Sequence, residues 1–414
     1  ASAASFYSRP IKLMPETAHE LYTERIMRNG DSIGESGRSY SATKLNTYSD
    51  CPMKYFMQYG LKLAEDVKSG VQANEVGTYV HKLVKTVCDS VYIRDENLSN
   101  AENVRRCLDA WHSLTEEMLD KFIDENIEKT ENNLTKHIAD YHMRKKVVHH
   151  IRKAVTKSSN NVLKSLNQGS FVLKDTELPI DNVRLYDDED IYIRGAVDRV
   201  DEFRYDNGRE IENLLRIIDY KTGMTQYNEG NVLNGREMQL IIYAIAAALK
   251  YEHEDTESKY SLSGIYYQHI RDGYQNAKDE AEGLGKSTFE AYLDGNLYLP
   301  PDDGTEKERR KRTAILNAFG NESMYANYKI TSKGKNGKNV KSEEERDCLI
   351  NAVKKNIRGI DREIMSGKIL PMPFEESKTQ DACTYCRFKD ICSFEEDKTK
   401  RKKNDGGANF GGEL

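Results

Sequence analysis

No apolar run in the 414 residues approaches the roughly 20 that a membrane-crossing helix needs, and no secretory signal precedes the first charged segment. Positive charge is not in excess either. Lys and Arg number 62 against 68 Asp and Glu, a net charge of −6. That balance excludes a uniformly basic nucleic-acid coat but leaves room for a local basic groove. Cysteine is sparse: seven residues, an odd number, most of them far apart. This excludes a disulfide framework and points to a reducing compartment such as the cytoplasm. No internal repeat is visible. The first residues, "ASAASFYSRP", lack an initiating Met, so a fragment of a longer protein is expected. With 31% charged and 38% apolar residues, the chain reads as soluble and globular.

What is present falls into zones. Residues 1–40 read as a leader: a helix over 16–28, then a Gly/Ser-rich link, "NGDSIGESGRS". Ser41 is placed to cap a helix "ATKLNTYSD", and Pro52 suits the first turn of a second, "PMKYFMQYG". Val76, Val80, Leu83, Val84 and Val87 form one apolar face of a helix over 74–92. Residues 101–166, almost free of Gly and Pro, read as a helical insertion of two or three helices. Near 170 the pattern changes to strands, "SFVLKDTELPI", "DIYIRGAVDRVDEF" and "LLRIIDY". A largely buried helix over 236–252 and a strand "LSGIYYQHI" follow, so that 170–270 forms an α/β catalytic core. Beyond an irregular stretch at 271–312 come a helix over 342–366, a cysteine cluster at 383–392 and a basic, disordered tail at 397–414. The core and cluster together define one domain over 41–396.

Two apolar strands end on charge. "GAVDRVD" carries Asp198, following Ala196 with period two, and "IIDYKTG" carries Asp219 with Lys221 on the same face. Two carboxylates and an ammonium that converge suit Mg²⁺ or Mn²⁺ and a phosphoryl group. A lone D-x-K triplet is far more often a capped turn beside a surface lysine. His81, four residues after Gly77 on one helix face, offers a nitrogen ligand, although alone it reads as structural. Gln239 and Tyr243 share a face of the helix after the "DYKTG" turn. "CTYCRFKDIC" places Cys383, Cys386 and Cys392 at C-x2-C-x5-C spacing. Cys51 is the best fourth ligand, because Cys88, Cys107 and Cys348 lie in helical patterns. Four thiolates suit zinc or a [4Fe–4S] cluster, and spacing does not choose between them. Other features carry no chemistry. "GLGKST" lacks the first Gly of a phosphate loop, position 280 being Glu. His142, His149 and His150 read as a solvated helix face, and "KTKRKK" as tail.

Six segments stand in a telling order: "SATKLNTYSDCPMKYFMQYGLKL", "GTYVHKLV", "IRGAVDRVD", "RIIDYKTG", "MQLIIYA" and "ACTYCRFKDIC". Together they resemble the iron–sulfur branch of the PD-(D/E)XK nuclease superfamily, over roughly residues 38–397. The likeness is greatest to the C-terminal nuclease domains of AddB-type helicase–nuclease subunits, which "REIMSGKILPMPF" and "CSFEED" strengthen. It implies a restriction-endonuclease-like fold, a mixed sheet flanked by helices, with a helical insertion and an iron–sulfur clamp joining the two ends. It implies Mg²⁺-dependent exonuclease hydrolysis of DNA, beside an AddA-like helicase subunit, on the 5′-terminated strand during double-strand-break repair. It implies His81, Asp198, Asp219 and the Tyr220 carbonyl as metal ligands and Lys221 as the catalytic lysine. Gln239 and Tyr243 would lie beside the active site and the DNA, and Cys51, Cys383, Cys386 and Cys392 would hold a [4Fe–4S] cluster. Competing expectations are a stand-alone or CRISPR-associated nuclease of the same superfamily, and a non-catalytic, metal-stapled DNA-binding module.

Overall fold

A computed structural model describes residues 12–28, 31–63, 73–95, 97–99, 101–113, 121, 141–167, 171–206, 211–221, 227–269, 289–290, 293–294, 340–341, 343–377 and 380–392. Most of the 271–312 stretch, the "GLGKST" segment, most of 114–140 and the 397–414 tail lie outside these residues. Among the described residues no helix is long and apolar enough to cross a membrane.

Helix α1 (Pro15–Tyr22) leads into strands β1 (Glu24–Arg28) and β2 (Asp31–Tyr40). Next come α2 (Ala42–Asp50) and α3 (Pro52–Tyr55), the latter continued by a π-helical turn over Phe56–Gly60. A helical side follows: α4 (Ala73–Val91), α5 (residues 101–113) and α6 (Tyr141–Leu166). The central strands are β3 (Val172–Arg184), β4 (Ile191–Asp206) and β5 (Ile211–Lys221). Helices α7 (Glu229–Leu233) and α8 (Gln239–Glu254) and strand β6 (Lys259–His269) complete the core. Strands β7 (Phe289–Glu290), β8 (Leu293–Asp294) and β9 (Val340–Lys341), helix α9 (Glu343–Met365), the ribbon β10 (Glu375–Ser377) and β11 (Gln380–Asp381), and α10 (Lys389–Cys392) follow.

Strands β1 to β9 join one mixed sheet, with helices on both faces. β5 shows why its sequence is apolar without a break. Leu215 and Ile217 bury among α2, α8 and α9, while Leu214, Ile218 and Tyr220 bury among α4, α5 and α6. A strand covered on both sides has no water-facing register to mark in its sequence.

The pairing around β4 sets up the site. β3 runs antiparallel along one edge of β4, from Arg184 opposite Tyr192 to Val172 opposite Glu202. The other edge is shared. β2 pairs in parallel with Ile191–Ile193, and β5 pairs antiparallel with Arg199–Asp206. In these registers residues 194–198 fall between the end of the β2 pairing and the start of the β5 pairing, where β2 ends while β5 runs on to Lys221 against β6. Such a divergence at strand ends opens a crevice, the usual location of a ligand site in open α/β sheets.

The leader differs from its expected form. The helix expected over 16–28 stops at Tyr22, its last residues form β1 instead, and the Gly/Ser-rich link enters β2. Sheet pairing decides this: Arg38 and Tyr40 of β2 are fastened by Asp361 of α9, with Arg38 Nε–Oδ1 and Tyr40 hydroxyl–Oδ1 both 2.9 Å. Strand formation depends on such partners more than on the segment's own propensity. The helix expected from 236 begins at Gln239 instead, because Gly235 and Glu237, at φ 78° and 53°, keep the preceding residues in a turn. Ser41 caps α2 as expected, its hydroxyl accepting from the Lys44 amide at 3.2 Å.

Candidate active site and cysteine cluster

Asp219 and Lys221 leave β5 on the α8 side of the sheet, two residues apart, and their side chains meet at 2.6 Å. Gln239, the first residue of α8, donates from Nε2 to the other oxygen of Asp219, also at 2.6 Å. Tyr220, between them, buries its ring on the opposite face and donates its amide to Asp198 Oδ2 at 2.6 Å. The Asp198 carboxylate is 3.5 Å from His81 Nδ1 of α4. The His81 ring meets the edge of Tyr220 at a centroid distance of 5.6 Å. Thus His81, Asp198, Asp219, Lys221 and Gln239, drawn from two strands and two helices, occupy one crevice.

The alternation expected through "GAVDRVD" does not persist. Val197 and Val200 both bury on the α8 side, whereas Arg199 turns to α6 and bonds Ser165. Period two therefore slips at Asp198, which frees that carboxylate to reach His81 instead of entering either core. Glu177 lies opposite this point. Its neighbours Thr176 and Leu178 pair with Arg199 and Val197, and Glu177 itself adopts φ 51°. Its carboxylate, His81 and Asp198 present ligand atoms all within 4.8 Å of one another. An acid in "KDTELPI" carried no distinguishing signal in the sequence. It becomes a candidate ligand only through the register that sets it across from Asp198.

Tyr243, one turn beyond Gln239, closes the crevice against β4. Its hydroxyl accepts from the Ala42 amide at the start of α2. Gly195, at φ +154°, lies under the ring so closely that an added Cβ would stand 2.7 Å from Tyr243 Cζ. Only glycine suits both that backbone and that approach.

Charge is concentrated here at the expense of solvation. Burial, then the Asp198 charge, pushes the Asp219 carboxyl up to about 6 against the pull of Lys221. Burial works to lower the His81 pKa, but the hydrogen bond and charge of Asp198 outweigh it and hold it above its ordinary value. Burial and Asp198 also raise Glu177. Carboxylates that repel one another in a desolvated crevice form a site whose repulsion a cation would relieve. Carboxylate oxygens with one imidazole suit Mg²⁺ or Mn²⁺.

The four cysteines gather elsewhere. Cys51, between α2 and α3, lines one cavity with Cys383, Cys386 and Cys392, beside Met53, Met57 and Phe388. Burial pushes the Cys51 thiol up, while the amides of Lys54, Met53 and Met372 donate to it and pull the other way. Three such donors suit a sulfur that carries negative charge. Cys88 and Cys107 are buried in the helical core and Cys348 is exposed, away from this cavity. His142, His149 and His150 are exposed on α6.

The family model of the PD-(D/E)XK nuclease superfamily matches residues 39–393. A curated relative from Caldanaerobacter subterraneus, by its name a subunit of an ATP-dependent helicase/deoxyribonuclease, is 28% identical over 380 residues, 88% of this chain and 30% of its own length. Proteins of the same name from Thermoanaerobacter sp. and Clostridium acetobutylicum are each 25% identical, over 94% and 86% of this chain. The chain spans about a third of the length of these relatives. With a family match over nearly its whole folded extent, on a mixed sheet beside which acids, a lysine and a histidine converge, the chain belongs to the PD-(D/E)XK nuclease superfamily.

Proposed function

We propose that this chain is a divalent-metal-dependent deoxyribonuclease domain, the exonuclease portion of an AddB-like subunit that works beside an AddA-like helicase in double-strand-break repair. The observation that carries the reading is the convergence of His81, Asp198, Asp219 and Lys221 at the divergence of β2 and β5. The deoxyribonuclease named among the relatives supports DNA as the substrate.

His81, Asp198, Asp219 and Glu177, with the Tyr220 carbonyl, would hold the cation. When bound, Mg²⁺ or Mn²⁺ supplies Lewis-acid polarisation of the phosphoryl oxygen and acidifies the attacking water. The remaining work falls to the chain's own groups. Gln239 fixes the Asp219 carboxylate through a 2.6 Å hydrogen bond. The Lys221 ammonium, beside that carboxylate, orients the water and offsets charge growing on the phosphate oxygens. Tyr243, which packs on Gly195 of β4, would lie beside the bound DNA.

Cys51, Cys383, Cys386 and Cys392 would hold a [4Fe–4S] cluster that clamps the two ends of the domain.

The test is cleavage of end-labelled single-stranded and duplex DNA with and without Mg²⁺. Asp219→Asn and Lys221→Ala are expected to abolish cutting without loss of DNA binding. Undiminished cutting by Asp219→Asn refutes the site. Anaerobic purification is expected to yield a brown protein with stoichiometric iron, and a colourless zinc protein refutes the cluster.

A further inference from the structure

We infer that Arg236 is a positioning residue that ties the cysteine cluster to the carboxylate site. The inference rests on the functional reading above but concerns groups to which that reading assigns no role. Asp50 ends α2, directly before Cys51. Its carboxylate takes Lys54 Nζ on one oxygen and Arg236 Nε on the other, each at 3.0 Å. Its carbonyl accepts from the Phe374 amide at 2.8 Å, and the Phe374 carbonyl accepts at 2.9 Å from Ala382, the residue before Cys383. The Arg236 guanidinium lies over Phe374, 4.4 Å from the ring centre, and that ring is only 1% exposed. One side chain thus grips both chain segments that carry the cysteines.

At its other end Arg236 has little slack. Its amide donates to the Asn231 carbonyl of α7 at 2.8 Å. The next residue, Glu237, is held at φ 53° with its carboxylate accepting from Asn231 Nδ2 at 3.1 Å. Met238 is fully buried, and Gln239 then grips Asp219. Only two turn residues, Glu237 and Met238, separate the arginine that reads the position of Asp50 from the amide that fixes Asp219. A shift of the cysteine segments therefore moves the start of α8 and disturbs Asp219 through Gln239. Groups one step removed from ligands commonly change metal affinity or activity by about 10–100-fold when lost.

The experiment uses the whole 414-residue chain with Mn²⁺ as probe, its affinity read by electron paramagnetic resonance and the cysteine site by metal content and visible absorption. Arg236→Gln is expected to weaken Mn²⁺ binding roughly tenfold, at the lower end of that range, with the cysteine site still loaded. Asp50→Asn should do the same. The double variant should lose far less than the sum of the single ones, because both remove the shared Arg236–Asp50 contact. Arg236→Lys should recover most of the loss. Unchanged Mn²⁺ affinity in Arg236→Gln overturns the inference. So does a loss that Lys fails to restore and that adds to the loss from Asp50→Asn, since that marks general destabilisation. Asp219→Asn serves as the separating control: Mn²⁺ binding as tight as in the unaltered chain would defeat the metal-site reading itself.

Discussion

Asp219 carries the sharpest residue-level consequence. Its carboxyl is pushed up to about 6 from an ordinary 3.8, and His81 is also raised. Both must lose a proton to hold a metal, so Mn²⁺ affinity is expected to rise with pH through about 6, as Asp219 ionises, and to go on rising above 6.5 until His81 too is neutral. The sign for stability follows the same groups. A folded pKa above the unfolded one favours folding below the unfolded value, and that advantage is lost as pH climbs through the folded pKa. For Asp219 the loss is on the order of 3 kcal/mol across two pH units, from about 4 to 6. A divalent ion should return it. Thermal unfolding with chelator and with Mn²⁺ should therefore diverge more at pH 7.5 than at pH 5, and equal divergence at both would contradict the assignment. Gly195 gives a second test. Gly195→Ala is expected to cost about 1–3 kcal/mol in denaturant unfolding, from overpacking against Tyr243 and from its φ of +154°. Tyr243→Phe removes the nearest atom and should recover part of that cost.

Between elements, the strongest constraint lies beside the site. Asp201 of β4 is fully buried and takes both Nε and Nη2 of Arg199, at 2.9 and 3.0 Å, and Nη2 of Arg216 of β5, at 3.1 Å. Arg199 also reaches Ser165 of α6 and Gln268 of β6, and Arg216 covers the Phe171 ring at 3.9 Å. This knot joins three strands to the helical side at the residue next to Asp198. Asp201→Asn would leave two buried guanidiniums around a neutral amide. A loss of about 3–5 kcal/mol is expected by chemical denaturation, far more than any exposed ion pair would give. A loss under about 1 kcal/mol would show that the knot contributes little. These residues explain where sequence reading stopped. The strands containing Arg199, Asp201 and Arg216 were legible from their apolar runs, and so were the helices that became α2, α4, α8 and α9. The partners of the charges were not, because each sits on another element. Glu177 stayed hidden for the same reason, and β2 because glycine-rich segments become strands only when something pairs with them.

At the scale of the molecule, Cys51 and Cys383 bring positions 51 and 383 to one cavity, enclosing nearly the whole domain between them. Cys51→Ser is expected to lose the visible absorption and the bound iron together, and to lower the unfolding temperature of the entire chain in a single transition. Retention of full thermal stability after iron loss would reduce the cluster to an ornament of the C-terminal segment. Asp50, directly before Cys51, meets Arg236, three residues before Gln239, so the cysteine segments and the start of α8 are joined by one contact.

The sequence by itself determined the parts: an apolar strand carrying Asp198, which the structure continues to Asp206, another that finishes on Asp219 and Lys221, a helix carrying Gln239, and cysteines spaced for one site. Local spacing dictates these, since period two and period four act within a few residues. The tertiary structure alone decided that Asp198 slips out of alternation to face His81, that Glu177 stands across from it, and that residues 194–198 of β4 lie open between β2 and β5. Those outcomes depend on register and on pairing between distant segments, where burial of both sheet faces, not the local pattern, sets the lowest free energy.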